Sequence, residues 1–489
     1  MAQNSFPLSI KEFLNSQGET VGVGSKEAEA AEQHARSNDR NHVFHSWSAQ
    51  AKINPLPIAK AEGAWIYDYS GKGYLDAASQ LVSANLGHGH PALVAAITTQ
   101  LQRVSNLNPA FANDSRGELA AAIIDKAQGE FSHIFFTNGG ADAVEHAIRM
   151  ARKHTGRSKI LTAYRSYHGA TGSAIMATGE ARRHGNPTTD GDIKHFWGPF
   201  HYRSAFHAKN EQEECERALQ HLEDTIDFED DVAAVLIESV VGSSGVIVPP
   251  EGYLAGVREI CDRKGILWIA DEVMVGFGRT GKLFAYEHAG KTVAHHNGPE
   301  QVSSGSELSQ QHCTEKILQP DIVTFAKGVN AGIVPLGGVM MTAAVKATFD
   351  DTPYPGGLTY SGHPVACAPG VAALEVYEKE NIFDKVAKQG EEIIEPRLNE
   401  LVQKHNSIGN VRGKGFFWAI EFVADQDTKA PLGPEGMAAF GAAAKEAGVW
   451  PMVSGNRVHL APPLVTSVEE LKFLLDVVDA AATEADKAL

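Results

Sequence analysis

The chain has 489 residues, of which 43% are hydrophobic and 21% charged, and a formal net charge of −17. That length can bury a sizeable core, and so acidic a surface repels nucleic-acid phosphates and anionic lipid heads. No apolar run reaches the roughly 20 residues of a membrane span. The scattered cysteines Cys215, Cys261, Cys313 and Cys367 suggest neither a disulfide framework nor a zinc site.

The opening stretch MAQNSFPLSIKEFLNSQGET lacks a basic region followed by an apolar core, so the cytoplasm is the expected compartment. Within the polar residues 1–40, KEAEAAEQHAR predicts a helix. AWIYDYSGKGYLDAAS predicts a hairpin about Ser70-Gly71-Lys72-Gly73. From about 90 to 345, five apolar runs read as buried strands: 133–137, 159–164, 232–238, 266–271 and 321–326. Amphipathic stretches such as ADAVEHAIRMARKHTG separate several of them, which predicts an α/β fold with a mainly parallel sheet. Ligands in such sheets sit beyond the carboxyl ends of the strands. Segment 289–317 is rich in Ser, Gln and His and reads as a surface insertion. Its His295, His296 and His312 read as solvated loop residues, with metal binding as the alternative. After about 350, the helical stretch PVACAPGVAALEVYEKENIF leads into an α+β region.

Five segments place chemistry at strand ends. In TNGGADAVEHAIRMAR a strand gives way to two glycines and a helix. Exposed N–H groups there favour a phosphate, although a plain strand-to-helix turn has the same pattern. In YRSYHGAT, Tyr167 could stack on a flat cofactor or pack into the core. In ILWIADEVMVGFGRTG, Asp271 ends a strand, where a buried carboxylate needs a partner. A protonated pyridine nitrogen, an arginine or a helix N-terminus would each serve. In PDIVTFAKG, Lys327 ends an apolar strand, and desolvation there favours its neutral, nucleophilic form. In GGLTYSGHPVACAPG, the Thr359 hydroxyl could reach a phosphate, or the segment could be a loop opening a helix at His363-Pro364.

Taken in order, these segments resemble the class III aminotransferases, the ω-amino-acid group of fold-type I pyridoxal phosphate enzymes. ADEVMVGFGRTG and FAKG carry the resemblance most specifically. HSWSAQ, RSYHGATG, WGPFHYRSAFH and PGGLTYSGHP make the chain look most similar to taurine or β-alanine:keto-acid aminotransferases.

The resemblance implies a large domain over 81–350 with a seven-stranded sheet that binds pyridoxal phosphate. A smaller α+β domain would be built from residues 1–80 and 351–489. Lys327 would hold the cofactor as a Schiff base and serve as acid/base, and Asp271 would keep the pyridine nitrogen protonated. Val273 and Tyr167 would cover the two ring faces, with His168 and Glu238 close by. Gly139, Gly140 and Ala141 would form the phosphate turn. Thr359 would reach the phosphate from the partner subunit, so the active site would need a homodimer, alone or within a tetramer. Trp47, Leu81 and Val82 match substrate-pocket positions, and Arg412 a basic position of structural character. The implied reaction is ping-pong transfer from an ω-amine or ω-amino acid to pyruvate or 2-oxoglutarate. A racemase, aminomutase or phospho-lyase on the same scaffold is the alternative, and a non-enzymatic binding protein a third.

Four departures from relatives bear on this reading. Gly139-Gly140-Ala141 stands where Ser-Gly-Ser is frequent, and Gly356 replaces a frequent His. The 289–317 insertion lengthens the interval from Asp271 to Lys327. Met452 stands where many relatives have an arginine ahead of the Ala461-Pro462-Pro463-Leu464 run, and Arg457 is the candidate replacement.

Overall fold

The computed structural model describes residues 6–293 and 315–489. Seven strands form the central sheet: β1 (Phe131–Thr137), β2 (Lys159–Ala163), β3 (Ile193–Phe196), β4 (Val232–Glu238), β5 (Leu267–Asp271), β6 (Ile322–Phe325) and β7 (Gly337–Thr342). Their spatial order is β1-β7-β6-β5-β4-β2-β3. Parallel pairing runs from β6 through β5, β4 and β2 to β3, while β7 pairs antiparallel with both β6 and β1. The sheet is therefore mainly parallel.

Period-two alternation sends neighbouring side chains of each strand to opposite faces. Val235, Ile237, Trp268 and Ala270 join the large cluster on one face. Ala234, Leu236, Leu267 and Ile269 join a second cluster on the other. Both faces are apolar because helices cover both, as a parallel sheet requires. Helix α1 (Gly140–Thr155) buries Ala143, Val144, Ala147, Ile148 and Ala151 in that second cluster, at helical spacing. It stops at Gly156, which adopts the left-handed conformation that glycine tolerates (φ 68°).

The N-terminal and C-terminal parts of the chain meet at a second sheet. Its order is Val449–Trp450, Gly73–Asp76, Trp65–Asp68, Ile58–Glu62. The predicted hairpin is present, with Gly73 at the start of its second strand. The Ala/Glu-rich stretch is a helix over Lys26–His42, capped by the Ser25 hydroxyl.

Two strands of the large sheet lie outside the five apolar runs. β3 reads IKHF and β7 begins with two glycines, so neither shows a continuous apolar pattern. Of the 289–317 segment, Lys291–Val293 and Glu315–Ile317 form a two-stranded antiparallel ladder. His295, His296, His312 and Cys313 lie outside the described residues. Cys215, Cys261 and Cys367 are buried free thiols. Among the described residues, no helix is long and apolar enough to cross a membrane.

Candidate active site

The carboxyl ends of β5, β2, β4 and β6 bring Asp271, the 164–169 turn, Glu238 and Lys327 to one edge of the sheet. Asp271 is buried and fully engaged. Its Oδ2 lies 2.6 Å from His168 Nδ1, and its Oδ1 accepts from Val273 N (3.0 Å) and the Thr324 hydroxyl (3.2 Å). The partner this buried carboxylate finds within the protein is thus a histidine, not an arginine or a helix N-terminus. His168 is itself fixed on its far side, with Nε2 3.1 Å from Thr162 Oγ1, and its backbone N donates to Thr178 Oγ1 (3.0 Å).

Lys327 follows β6 with φ +46°, an unusual conformation for a non-glycine residue that turns the chain sharply at the strand end. Burial pushes its ammonium down to about 8. The Asp271 and Glu238 carboxylates oppose that shift, and the Arg279 and Arg182 guanidiniums add to it. A lysine so placed loses its proton far more readily than a surface lysine. Glu238 ties two turns together: Oε1 accepts from Tyr167 N (3.0 Å) and Oε2 from Gly242 N (2.7 Å). Burial raises its carboxyl to about 7, with Asp271 adding to the shift.

The glycine turn adjoins this cluster. Gly139 caps α1 without a side-chain bond to the first N–H groups, which leaves them to an anion. A Cβ on Gly140 would sit 2.6 Å from Val273 Cγ1, and one on Gly169 (φ +133°) 2.6 Å from Ala141 Cβ. The glycine turn, the Val273 loop and the Tyr167-His168-Gly169 turn therefore converge with no room for extra side chains.

The substrate-pocket positions are spread more widely. Trp47 is 65% exposed and Leu81 50% exposed, whereas Val82 is buried in an apolar cluster with Val240, Val246 and Val275. Thr359 and Tyr360 are exposed. Among the described residues no hydrogen bond ties Thr359 to the lysine's surroundings. Arg412 is anchored by Gly245 O (2.6 Å), Asn410 Oδ1 (2.8 Å) and Glu421 (2.9 Å), an arrangement that builds structure. Arg457 donates from its terminal NH1 to Ser244 O, while its buried Nε has no partner. Met452 faces His459 on the adjacent strand, and Ser454 faces Arg457.

One further residue enters the site. The Arg182 guanidinium lies 3.9 Å from the Tyr167 ring centroid and 5.8 Å from that of Trp47, and pairs with Glu180. In the sequence it sits in the polar run EARRHG, indistinguishable from a solvated turn. The only hint was its place in the connection between two predicted sheet elements.

The residues present suit pyridoxal phosphate: a lysine that deprotonates near pH 8, a carboxylate at a strand end, and a glycine-lined helix N-terminus. This sheet order with a lysine at a strand end defines a fold-type I pyridoxal phosphate enzyme. The family model described as "Aminotransferase class-III" matches residues 47–294 and 303–481, and the chain belongs to that family of pyridoxal-phosphate-dependent aminotransferases. A solved structure of taurine:2-oxoglutarate aminotransferase from Bifidobacterium kashiwanohense, in complex with pyridoxal phosphate and glutamate, superposes with a TM-score of 0.84. It is 36% identical and the match covers 93% of this chain and 98% of that one. The taurine–pyruvate aminotransferase of Rhodobacter capsulatus is 32% identical, covering 91% of this chain and 95% of the relative. The acetylornithine aminotransferase of Caldanaerobacter subterraneus is also 32% identical, over 88% and 95%.

Proposed function

We propose that this enzyme transfers an amino group from an ω-amine or ω-amino acid carrying an anionic end, taurine or β-alanine, to pyruvate or 2-oxoglutarate by a ping-pong mechanism. The observation that carries the reading is Arg182, held over the Tyr167 ring beside Trp47 and near enough to influence Lys327. A guanidinium there suits a sulfonate or carboxylate whose amine end points at the lysine.

Pyridoxal phosphate, when bound, supplies the electron sink for the carbanion left at the substrate carbon. Lys327 Nζ would hold the cofactor, and as a neutral amine it would take and return the substrate proton. Asp271, fixed in place by its three hydrogen bonds, would meet the ring nitrogen. Val273 and Tyr167 would cover the ring faces, and the N–H groups of Gly139, Gly140 and Ala141 would receive the phosphate. Trp47 and Leu81 border the entrance, and Arg457 gives the anion a second positive group.

The enzyme acts as a homodimer, alone or within a tetramer, with Thr359 serving the partner's phosphate turn. Arg116 supports this reading. It donates to Phe111 O (2.6 Å) and Ser361 O (3.4 Å), which places exposed Phe111 beside the loop of exposed Tyr360 and Thr359.

A matrix of taurine, β-alanine, 4-aminobutyrate and uncharged amines against both keto acids tests the function. Taurine or β-alanine alone should bleach the visible cofactor band, and alanine or glutamate should accumulate from the matching keto acid. A band that no donor bleaches would sink transamination, and a preference for uncharged amines would sink the substrate class.

A further inference from the structure

Thr359 lies in a long connection: from Thr348 to His363 the chain forms neither helix nor strand. Connections longer than about 12–15 residues without regular structure are uncommon and carry either function or disorder, so what ties this one down matters. Near its far end the Ser361 hydroxyl donates to Phe136 O (2.8 Å), in β1. Near its start the Tyr354 hydroxyl meets His146 Nδ1 (2.6 Å), and Arg149 Nη1 donates to Pro355 O (3.4 Å). His146 and Arg149 stand on one face of α1, the helix that begins at Gly140. The loop is thus tied on both sides to the strand and the helix that flank the glycine turn, with exposed Thr359 between the ties. Among the described residues, no hydrogen bond from outside the loop reaches residues 356–360.

Tyr354 is fixed at both ends of its side chain. Its ring packs edge-on against Phe135 (centroids 5.6 Å apart) and Phe349 (5.1 Å), at the margin of the second apolar cluster. Its hydroxyl is also hydrogen-bonded by the Arg149 side chain. A guanidinium can only donate, so the hydroxyl accepts from Arg149 and donates its own proton to His146 Nδ1. His146 is 5% exposed, and burial holds it below its ordinary 6.5, which leaves Nδ1 free to accept. A Cβ on Gly356 would lie 2.7 Å from the Tyr354 ring and 2.8 Å from Arg149 Nη1, so these two side chains fill the space a side chain would need there.

We infer that Tyr354 is a positioning residue for the cofactor phosphate: braced by His146 and Arg149, it holds the Thr359 loop against the helix that begins at the glycine turn, and so sets where the threonine hydroxyl stands. The inference rests on the reading of Thr359 as a ligand of the partner's phosphate. On that dimer the helix gives N–H groups to the phosphate of its own subunit, while the loop braced upon it serves the other. One braced unit then joins the two sites, and the effect of Tyr354 on the cofactor passes through Thr359.

The test titrates apoprotein with pyridoxal phosphate and, separately, with pyridoxal, which lacks the phosphate, and reads both dissociation constants. Thr359→Ala should weaken pyridoxal phosphate about tenfold and Tyr354→Phe about fivefold, each with pyridoxal affinity unchanged. Phenylalanine keeps the ring and its packing and removes only the hydroxyl. The double variant should bind pyridoxal phosphate no more weakly than T359A alone, because residues that act through one contact do not add. If Y354F binds pyridoxal phosphate as the unaltered protein does, loses pyridoxal to the same extent, or adds its loss to that of T359A, the inference is overturned while Thr359 keeps its role. If T359A itself changes nothing, Thr359 is no phosphate ligand and both readings fall.

Discussion

Lys327 shows how position converts an ordinary residue into a reactive one. Its ammonium is destabilised by burial more than the Asp271 and Glu238 carboxylates stabilise it, so its proton leaves at about pH 8. In the cofactor-free protein this gives a definite pH dependence. The folded value lies below the ordinary 10.5, so the unfolded chain binds more protons between the two. Stability from this group is therefore lowest below pH 8 and rises as pH increases through the interval. Urea denaturation of apoprotein across that range, compared with Lys327→Met, should show a steeper rise of stability with pH in the unaltered chain. Lys327→Ala should abolish turnover and the visible band together, measured on the purified protein.

Not all of this was legible beforehand. Lys327 and Asp271 stand out because each ends an apolar run, and a charge at such a place needs an explanation. The His168–Asp271 bond was not legible, since nothing in YHG indicates which way the imidazole turns. Arg182 was hidden because two adjacent arginines in a polar turn are what a solvated turn looks like. Sequence shows where a charge is out of place far better than where a charge is aimed.

At the scale of elements, the site depends on how closely three turns approach. Gly169→Ala would add a methyl at φ +133°, 2.6 Å from Ala141 Cβ. The backbone strain costs about 1–3 kcal/mol and would push the phosphate turn away from the 164–169 turn. Such a variant should fold but hold pyridoxal phosphate more weakly, seen as cofactor lost on dialysis. A different device docks the last helix, α2 (Val468–Asp486). Asp479 on it accepts from Arg397, Lys404 and His405, each at 2.7 Å. Despite partial burial, those bonds hold its carboxyl down at about 2. The folded value lies below the ordinary 3.8, so this contribution is complete above that pH and is lost as pH falls towards 2. Asp479→Asn should destabilise the protein at neutral pH by about 2 kcal/mol, and the difference from the unaltered chain should vanish in acid. Strands followed the sequence where both faces are buried, as in β4, whose seven residues are all apolar or strand-terminal. They failed where pairing alone makes the strand, as in β3 and β7.

For the whole molecule, several large exposed apolar side chains fall in one stretch of the chain. Val94 and Leu101 lie seven residues apart, on one face of the helix Pro91–Arg103, and Val104 and Phe111 follow. Of these, Phe111 lies beside the Tyr360 loop through Arg116, and an exposed Phe–Tyr pair there marks a candidate interaction surface. On the proposed dimer, Phe111→Arg should give monomers in sedimentation, and those monomers should lose activity because Thr359 would no longer reach a partner's phosphate turn. Retention of full activity by a monomer would refute the shared site.

The ladder between Lys291–Val293 and Glu315–Ile317 has one more consequence. Antiparallel strands lie about 5 Å apart, and Val293 pairs with Glu315, so the two residues that flank the connection stand side by side. Lengthening or shortening the connection need not change the spacing of its two ends. The position is therefore a port for engineering: replacing the connection by a short turn, or splicing a peptide tag into it, should leave the turnover of the purified enzyme unchanged.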